Sequence, residues 1–265
     1  IKRVLIIVPL LVIFIGVTGI SMVSSIISRK SVLSEMQGSG INSSLRFIER
    51  ITDNNDTLEI VNTEIEGKIH SANRVVASNE DAMSNQFITR LAQQLDLYEI
   101  NVYDGRGTIV FSNINGNVGK VLPIDAPSQV VLKGEKSSFF DEIIYNAESK
   151  KTLKYGYLKH PSGGMIQTGI DAIRLQYLQR AFSYQKLIEQ MASSDEVAYV
   201  LLLDENYKVV AHSDSAQVGA TYDLDTNYRL AFEAGEQTAY EGKSLITEER
   251  VLNVVVPFEI KNKGQ

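Results

Sequence analysis

Tyr103-Asp104-Gly105-Arg106-Gly107-Thr108-Ile109-Val110, followed by Asn117-Val118-Gly119, returns at an offset of 100 residues as Leu203-Asp204-Glu205-Asn206-Tyr207-Lys208-Val209-Val210 followed by Gln217-Val218-Gly219. Asp104/Asp204, Val110/Val210, Val118/Val218, Gly119/Gly219 and Asp125/Asp225 coincide without a gap, and Ile109/Val209 and Val130/Leu230 match in kind. Alternation in Ile100-Asn101-Val102-Tyr103 reads as a strand. Asp104-Gly105-Arg106-Gly107 reads as a hairpin turn, because Asp and Gly accept turn geometry. Thr108–Ser112 is then the return strand. The chain therefore carries two copies of one small unit.

Around this repeat the first copy builds out in both directions. A helix is expected over Met83–Leu97, with Phe87, Ile88, Leu91 and Leu95 inward. Asp125 is placed to cap a short helix with Pro127 in its first turn and Gly134 at its end; Asp225 and Gly235 repeat the pattern. Strands are expected at Phe139–Tyr145, Thr152–Lys159 and Met165–Ile170. Ala172–Ala192 reads as a helix leading to the second copy. That copy has strands at 198–203 and 208–212, a helix at 226–234, and strands near 239–243 and 250–258, its last strand lying past Gln265. This order is α+β, built on antiparallel sheets.

Val4 to Ile27 contains no charged residue. At about 1.5 Å per residue it is long enough for a bilayer core of roughly 30 Å. A cleaved signal peptide is the other reading, but the apolar run exceeds the usual signal core of about 7–15 residues. From about Ser28 the pattern is helical: Ile41, Leu45, Ile48, then Leu58, Val61, Ile65, Ile69, Ala72 and Val76 recur at steps of three and four. The polar run Thr52-Asp53-Asn54-Asn55-Asp56 is a place for a kink. The stripe serves packing within the chain, pairing with a second subunit, or both. The domain reading is a transmembrane helix at 1–27, a stalk helix at 28–82, a first unit at 83–171, a connecting helix at 172–196 and a second unit at 197–265. The first residue is not Met, and the sequence reads as part of a longer protein.

Composition narrows the chemistry. The chain of 265 residues has no cysteine, so thiolate metal sites and disulfides are excluded. Its net charge is -6; residues 29–265 hold 24 basic and 32 acidic side chains, a balance of -8 that argues against nucleic acid as a partner. The three histidines lie far apart in sequence, with no second ligand beside any of them. Phosphate-loop, His-Glu-x-x-His and Gly-x-Ser-x-Gly motifs are missing from the sequence. No catalytic residue, metal or cofactor is expected, and the chain reads as a non-enzyme.

The arrangement resembles the double Cache extracellular sensor region of bacterial transmembrane receptors, such as methyl-accepting chemotaxis proteins and sensor kinases. The resemblance covers about residues 28–265. Its carriers are the turn Asp104-Gly105-Arg106-Gly107 with Ile109-Val110, Val118-Gly119, Tyr155-Gly156-Tyr157, and Gly164-Met165-Ile166-Gln167-Thr168-Gly169-Ile170-Asp171, then Leu203-Asp204 with Val209-Val210 and Val218-Gly219. It implies a long helix and two PAS-like units, membrane-distal then membrane-proximal, with residues after about 28 outside the bacterial cell membrane. It also implies a small-molecule ligand in the distal unit, a homodimer, and an output in chemotaxis; a histidine kinase or cyclic-dinucleotide enzyme is the alternative. The amino-acid-binding branch carries an Arg-x-Trp-Tyr-type signature. This chain has no Trp, and Lys120–Val131 is too short and apolar for that signature, although Asp171 stands where that branch places its amine-binding Asp.

Within the first unit the expected ligand-binding residues are Asn101, Tyr103, Phe139, Tyr145, Tyr155, Tyr157, Gln167 and Asp171. Alternation puts Tyr155 with Tyr157, and Gln167 with Asp171, on shared faces. Such a cup has aromatic walls and a few polar anchors; an acidic anchor favours an amine or other cation, while Lys154 and Arg174 nearby leave an anion open. The bland readings are cross-strand packing for the tyrosines and a helix cap for Asp171. The second unit, with Val200, Leu202, Val254 and Val256, reads as a filled core that transmits displacement. Rivals from other classes are a membrane-anchored hydrolase, which needs a clustered acid–base set, and an adhesive module, which needs filled units and an exposed apolar patch.

Overall fold

Apolar residues at helical spacing make the first element, α1 (Val4–Ala77). A computed structural model describes residues 4–194, 196–222, 226–247 and 249–259, with side chains from residue 22 onward. The helix runs through Thr52–Asp56 without a break. Thr52 Oγ donates to Ile48 O at 3.0 Å and Thr57 Oγ to Asp53 O at 2.8 Å, so both hydroxyls find their acceptors on the helix itself. Among the described residues no helix is long and apolar enough to cross a membrane. The side chains of residues 4–21, most of the apolar run Val4–Ile27, lie outside that description.

The chain divides into two units, residues 53–183 and residues 1–52 with 184–265. The first unit contains α2 (Asn85–Gln94), β1 (Glu99–Tyr103), β2 (Ile109–Ser112), α3 (Gln129–Leu132), β3 (Ser138–Phe140), β4 (Ile144–Asn146), β5 (Lys151–Lys159), β6 (Met165–Asp171) and α4 (Ile173–Ala181). Its sheet is antiparallel in the order β2-β1-β6-β5-β3, with β4 also paired to β5. Ser84 caps α2, its Oγ accepting from Phe87 N at 3.1 Å. The single strand expected over 139–145 is two strands, parted at Asp141. The short helix starts at Gln129, after a turn closed by Ala126 N and Pro123 O, so Asp125 does not cap it. Gly134 ends it at φ +81°, a left-handed conformation that glycine takes without strain.

Strand alternation sends two different sets of side chains to the two faces of this sheet. On one face Ile100, Val102, Ile166 and Ile170 pack with Ile69, Ala72 and Val76 of α1 and Ile88, Leu91 and Ala92 of α2. Burying each large aliphatic side chain there stabilises by about 1.5–3 kcal/mol. The expected apolar stripe of α1 is thus covered by its own unit at Ile69–Val76, while Leu45 is exposed. Buried polar groups also pin α1 to this face. Asn73 Nδ2 donates to Gly156 O at 3.1 Å, and Asn73 Oδ1 accepts from Thr168 Oγ at 2.6 Å. Lys154 Nζ lies 2.9 Å from Glu66 Oε1.

The second unit contains α5 (Tyr184–Met191), β7 (Leu201–Leu203), β8 (Val209–His212), α6 (Thr226–Ala234), β9 (Thr238–Lys243) and β10 (Arg250–Val255). Its described strands form two hairpins, β7-β8 and β9-β10. Asp225, the expected cap of α6, lies outside the described residues, as does residue 265 and the strand expected near it. The helix expected over 172–192 is broken between α4 and α5.

The repeat is physical as well as textual. Asp104 Oδ1 accepts from Arg106 N and Thr108 N at 2.9 and 2.8 Å; Asp204 Oδ1 accepts from Asn206 N and Lys208 N at 2.8 and 2.9 Å. Both hairpins bulge at one place, after Val102 and after Leu202. Gly119 and Gly219, at φ +88° and +89°, donate to Ile109 O and Val209 O. The copies also begin earlier than the sequence identities suggest. Asn85 Oδ1 of α2 accepts from Ser112 N, and Gln185 Oε1 of α5 accepts from His212 N. Ile88 and Ile188 are both fully buried. The start of the expected connecting helix belongs to the first unit and its end repeats α2.

Candidate functional site

The face of the first unit turned away from α1 carries Glu99, Asn101 and Tyr103 from β1, Tyr155 and Tyr157 from β5, and Gln167 from β6. Each is less than a tenth exposed. Register brings them together: Asn101 pairs with Gln167, and Gln167 with Tyr157. One hydrogen-bonded circuit follows. Gln167 Oε1 accepts from Asn101 Nδ2 at 2.7 Å and from Tyr103 OH at 2.9 Å, and Gln167 Nε2 donates to Tyr157 OH at 3.1 Å. Tyr157 OH donates to Asp141 Oδ2 at 2.7 Å. At the other end Glu99 Oε1 accepts from Asn101 and Asn117, each at 2.6 Å, and Glu99 Oε2 accepts from Tyr155 OH at 2.8 Å. Ser112 Oγ donates to Asn101 Oδ1 at 2.7 Å.

Leu122, Val130, Val131, Leu132 and Phe139 pack over this face. Phe139 stacks on Tyr157 with ring centroids 6.1 Å apart. The segment between β2 and β3 is therefore a cover. Gly107 lies beneath it, where a Cβ would come 2.9 Å from Leu132 Cδ2.

Burial, then the negative charge of Glu99, raises the hydroxyl pKa of Tyr103 and of Tyr155 far above the ordinary tyrosine range. Burial and Asp141 do the same for Tyr157. The three remain neutral donors at any physiological pH. Burial also raises the Asp141 carboxyl, opposed by the Tyr157 hydrogen bond and the charge of Lys154. A carboxyl whose folded pKa is raised contributes stability that is fully present below its unfolded value of about 4 and is lost as pH rises through the folded value. Asp141→Asn is thus expected to flatten the fall in stability above about pH 4, read from urea midpoints across the acid range; a steeper fall in the variant would refute the assignment.

Of the eight residues expected here, the circuit includes Asn101, Tyr103, Tyr155, Tyr157 and Gln167, and Phe139 walls it. Tyr145 and Asp171 lie elsewhere. Asp171 Oδ1 accepts from Ile173 N at 3.0 Å at the start of α4, and Oδ2 lies 3.5 Å from Lys151 Nζ. Tyr145, Asp171, Lys150, Lys151 and Arg180 line an open cleft of about 370 Å³. Glu99, Asp141, Asn117 and Ser112 were not expected. Glu99 was legible, since positions 99, 101 and 103 share a strand face; Asp141 carried no such signal. Among the described residues no group of three or more His, Cys, Asp or Glu is placed to hold a metal.

No protein-family model matches the chain, and no curated protein matches it. Solved structures similar to it include the following. One is the "Extracellular ligand binding receptor from Desulfohalobium retbaense DSM5692", at 12% identity and TM-score 0.37, covering 81% of this chain; this chain spans 38% of that one. Another is the sensory domain of the Campylobacter jejuni chemoreceptor Tlp3 with isoleucine bound, at 12% identity and TM-score 0.44, covering 82% of this chain and 89% of that one. A third is the ligand-binding domain of Mlp24 with asparagine, at 14% identity and TM-score 0.41, covering 80% and 85%.

Proposed function

We propose that this chain is the extracellular ligand-sensing region of a bacterial transmembrane receptor of the double Cache type, acting in chemotaxis. The first unit binds a small molecule, and the membrane segment carries the displacement inward. The observation behind this reading is the buried circuit of three tyrosines, two amides and two carboxylates under a short covering segment. A filled structural core has little use for so many polar groups, since each must be matched or costs roughly 1–3 kcal/mol. A binding face needs them, because they can exchange partners with a ligand.

The charges favour a cation, such as an amine or guanidinium. Glu99 and Asp141 both face the circuit. Lys154 Nζ bonds Glu66 and the Asp141 main chain and so offsets part of the Asp141 charge, while Lys120 Nζ, at the exposed rim, bonds Asn117 Oδ1 and Glu148; Glu99 itself accepts only from neutral donors. A buried carboxylate without a basic partner is costly, and a cationic ligand supplies that partner. The test is thermal unfolding of the chain against amines, guanidinium compounds, amino acids, carboxylates, purines and sugars. A ligand at about 100 times its Kd adds roughly 2.7 kcal/mol. Stabilisation by the basic compounds is expected; none from any class would remove the reading.

The route to α1 is short. Asp141 places its side chain on the ligand face and its main-chain oxygen 3.1 Å from Lys154 Nζ, which pairs with Glu66 of α1. A ligand moves α1 only if it prefers one of two packings of helix on sheet. Lys154→Met is expected to retain ligand binding and to abolish the ligand-induced change in hydrogen-exchange protection over residues 60–77 at saturating ligand. Protection that still changes in the variant would exclude this route.

A further inference from the structure

We propose that the second unit holds a separate binding site, built on Tyr199 and His212, that takes a carbonyl-type oxygen such as that of a small carboxylate or amide. The offset of 100 puts Tyr199 where Glu99 stands and His212 where Ser112 stands, on the same side of equivalent hairpins. Leu201 pairs with His212 as Asn101 pairs with Ser112. In the first unit Ser112 Oγ meets Asn101. In the second unit that partner position is Leu201, which offers His212 nothing polar.

The consequence is an orphaned donor. His212 is fully buried, and its Nε2 has no hydrogen-bond partner. Its Nδ1 accepts from Asp214 N at 2.8 Å. Nδ1 also lies 3.1 Å from Asp214 O, but its shorter contact is to a main-chain N–H, which can only donate, so Nδ1 holds the lone pair and the proton sits on Nε2. A buried N–H without an acceptor is costly, and it dictates the chemistry of what relieves it: an oxygen acceptor. His160 Nε2 is also without a partner, but it sits in the β5–β6 turn, not on a sheet face.

The surroundings of His212 are aromatic and polar. The Tyr199 ring stacks on the imidazole at 6.1 Å and 10°. Tyr199 OH and Tyr228 OH both donate to Asn253 Oδ1, at 3.3 and 3.0 Å. Asn253 is itself buried and donates to Lys243 O. Two hydroxyls sharing one oxygen leave polar groups able to exchange that bond for one to a ligand. The described groups of this set, Tyr199, His212, Tyr228 and Asn253, include no carboxylate, whereas the first unit's circuit holds Glu99, so the two units would select ligands of different charge.

The experiment uses the full chain in detergent micelles, with ¹⁵N-histidine labelling, and acetate, propionate, succinate and acetamide as probes. His212→Phe assigns the His212 resonances, and Tyr199→Leu removes the stacking wall without touching the imidazole. The expected result is a saturable shift of the His212 Nε2–H resonance with at least one probe. The shift persists in Glu99→Gln and weakens at least tenfold in Tyr199→Leu. Carboxylates acting without acetamide would make the ligand an anion; both acting would make it any carbonyl oxygen. No shift with any probe, together with rapid exchange of this proton with solvent, would reduce the feature to a buried water and overturn the proposal. Because Glu99→Gln spares this response, its failure is separable from failure of a cation site in the first unit.

Discussion

Gly164→Ala unfolds the first unit at a markedly lower temperature than the parent chain. A Cβ at Gly164 would overlap the main-chain carbonyl oxygen of Tyr103. That oxygen cannot retreat, because Tyr103 pairs with Met165 at the end of the β1–β6 ladder and Asp104 N closes the neighbouring turn on Thr108 O. The expected loss is about 3 kcal/mol, the upper part of the usual cost of overpacking. At roughly 2–4 °C per kcal/mol this lowers Tm by about 6–12 °C, measured by calorimetry. Gly67→Ala on α1 is the control. Nothing lies within 4 Å of where its Cβ would stand, so no loss is expected. Equal losses would mean that main-chain crowding at Gly164 is not the cause.

Glu99→Gln removes the proposed cation affinity and only part of the stability. Glu99 accepts three hydrogen bonds from neutral donors. Glutamine keeps the length but turns one acceptor into an NH₂, which then faces donors. One or two bonds are lost, a cost of roughly 1–3 kcal/mol. Losing the charged partner of a buried ligand cation costs about 2–5 kcal/mol, or roughly 30- to 5000-fold in Kd. Calorimetric titration with an amine identified by thermal shift measures it. An unchanged Kd would place the ligand elsewhere and remove the cationic reading.

Local patterns carried much of this in the sequence. Alternation put Asn101 with Tyr103, and Tyr155 with Tyr157, on shared strand faces, and the duplicated turn placed both hairpins. Features set by non-local geometry stayed hidden. Asp141 joins the circuit because the strand expected over 139–145 breaks there, and nothing in Phe139-Phe140-Asp141-Glu142-Ile143 announces the break. Tyr145 and Asp171 carry the right side chains, but alternation continues past the place where cross-strand neighbours still converge. Asp171 therefore serves the start of α4. α1 stays continuous where a polar run suggested a kink. The match between Asn85 and Gln185 was invisible because both side chains serve a backbone N–H, a role that needs an amide oxygen and no particular residue.

The hairpins 99–122 and 199–222 share a bulge, a turn clamped by one aspartate and a pair of left-handed glycines, yet the side chains on their inner faces differ in charge. Main-chain path and chemical preference are therefore separable. An in-frame exchange between the two copies of the gene segment would transplant a preference from one unit into the other while leaving the recipient's loops unchanged in length. A protein built this way can acquire a new binding preference by recombining with itself.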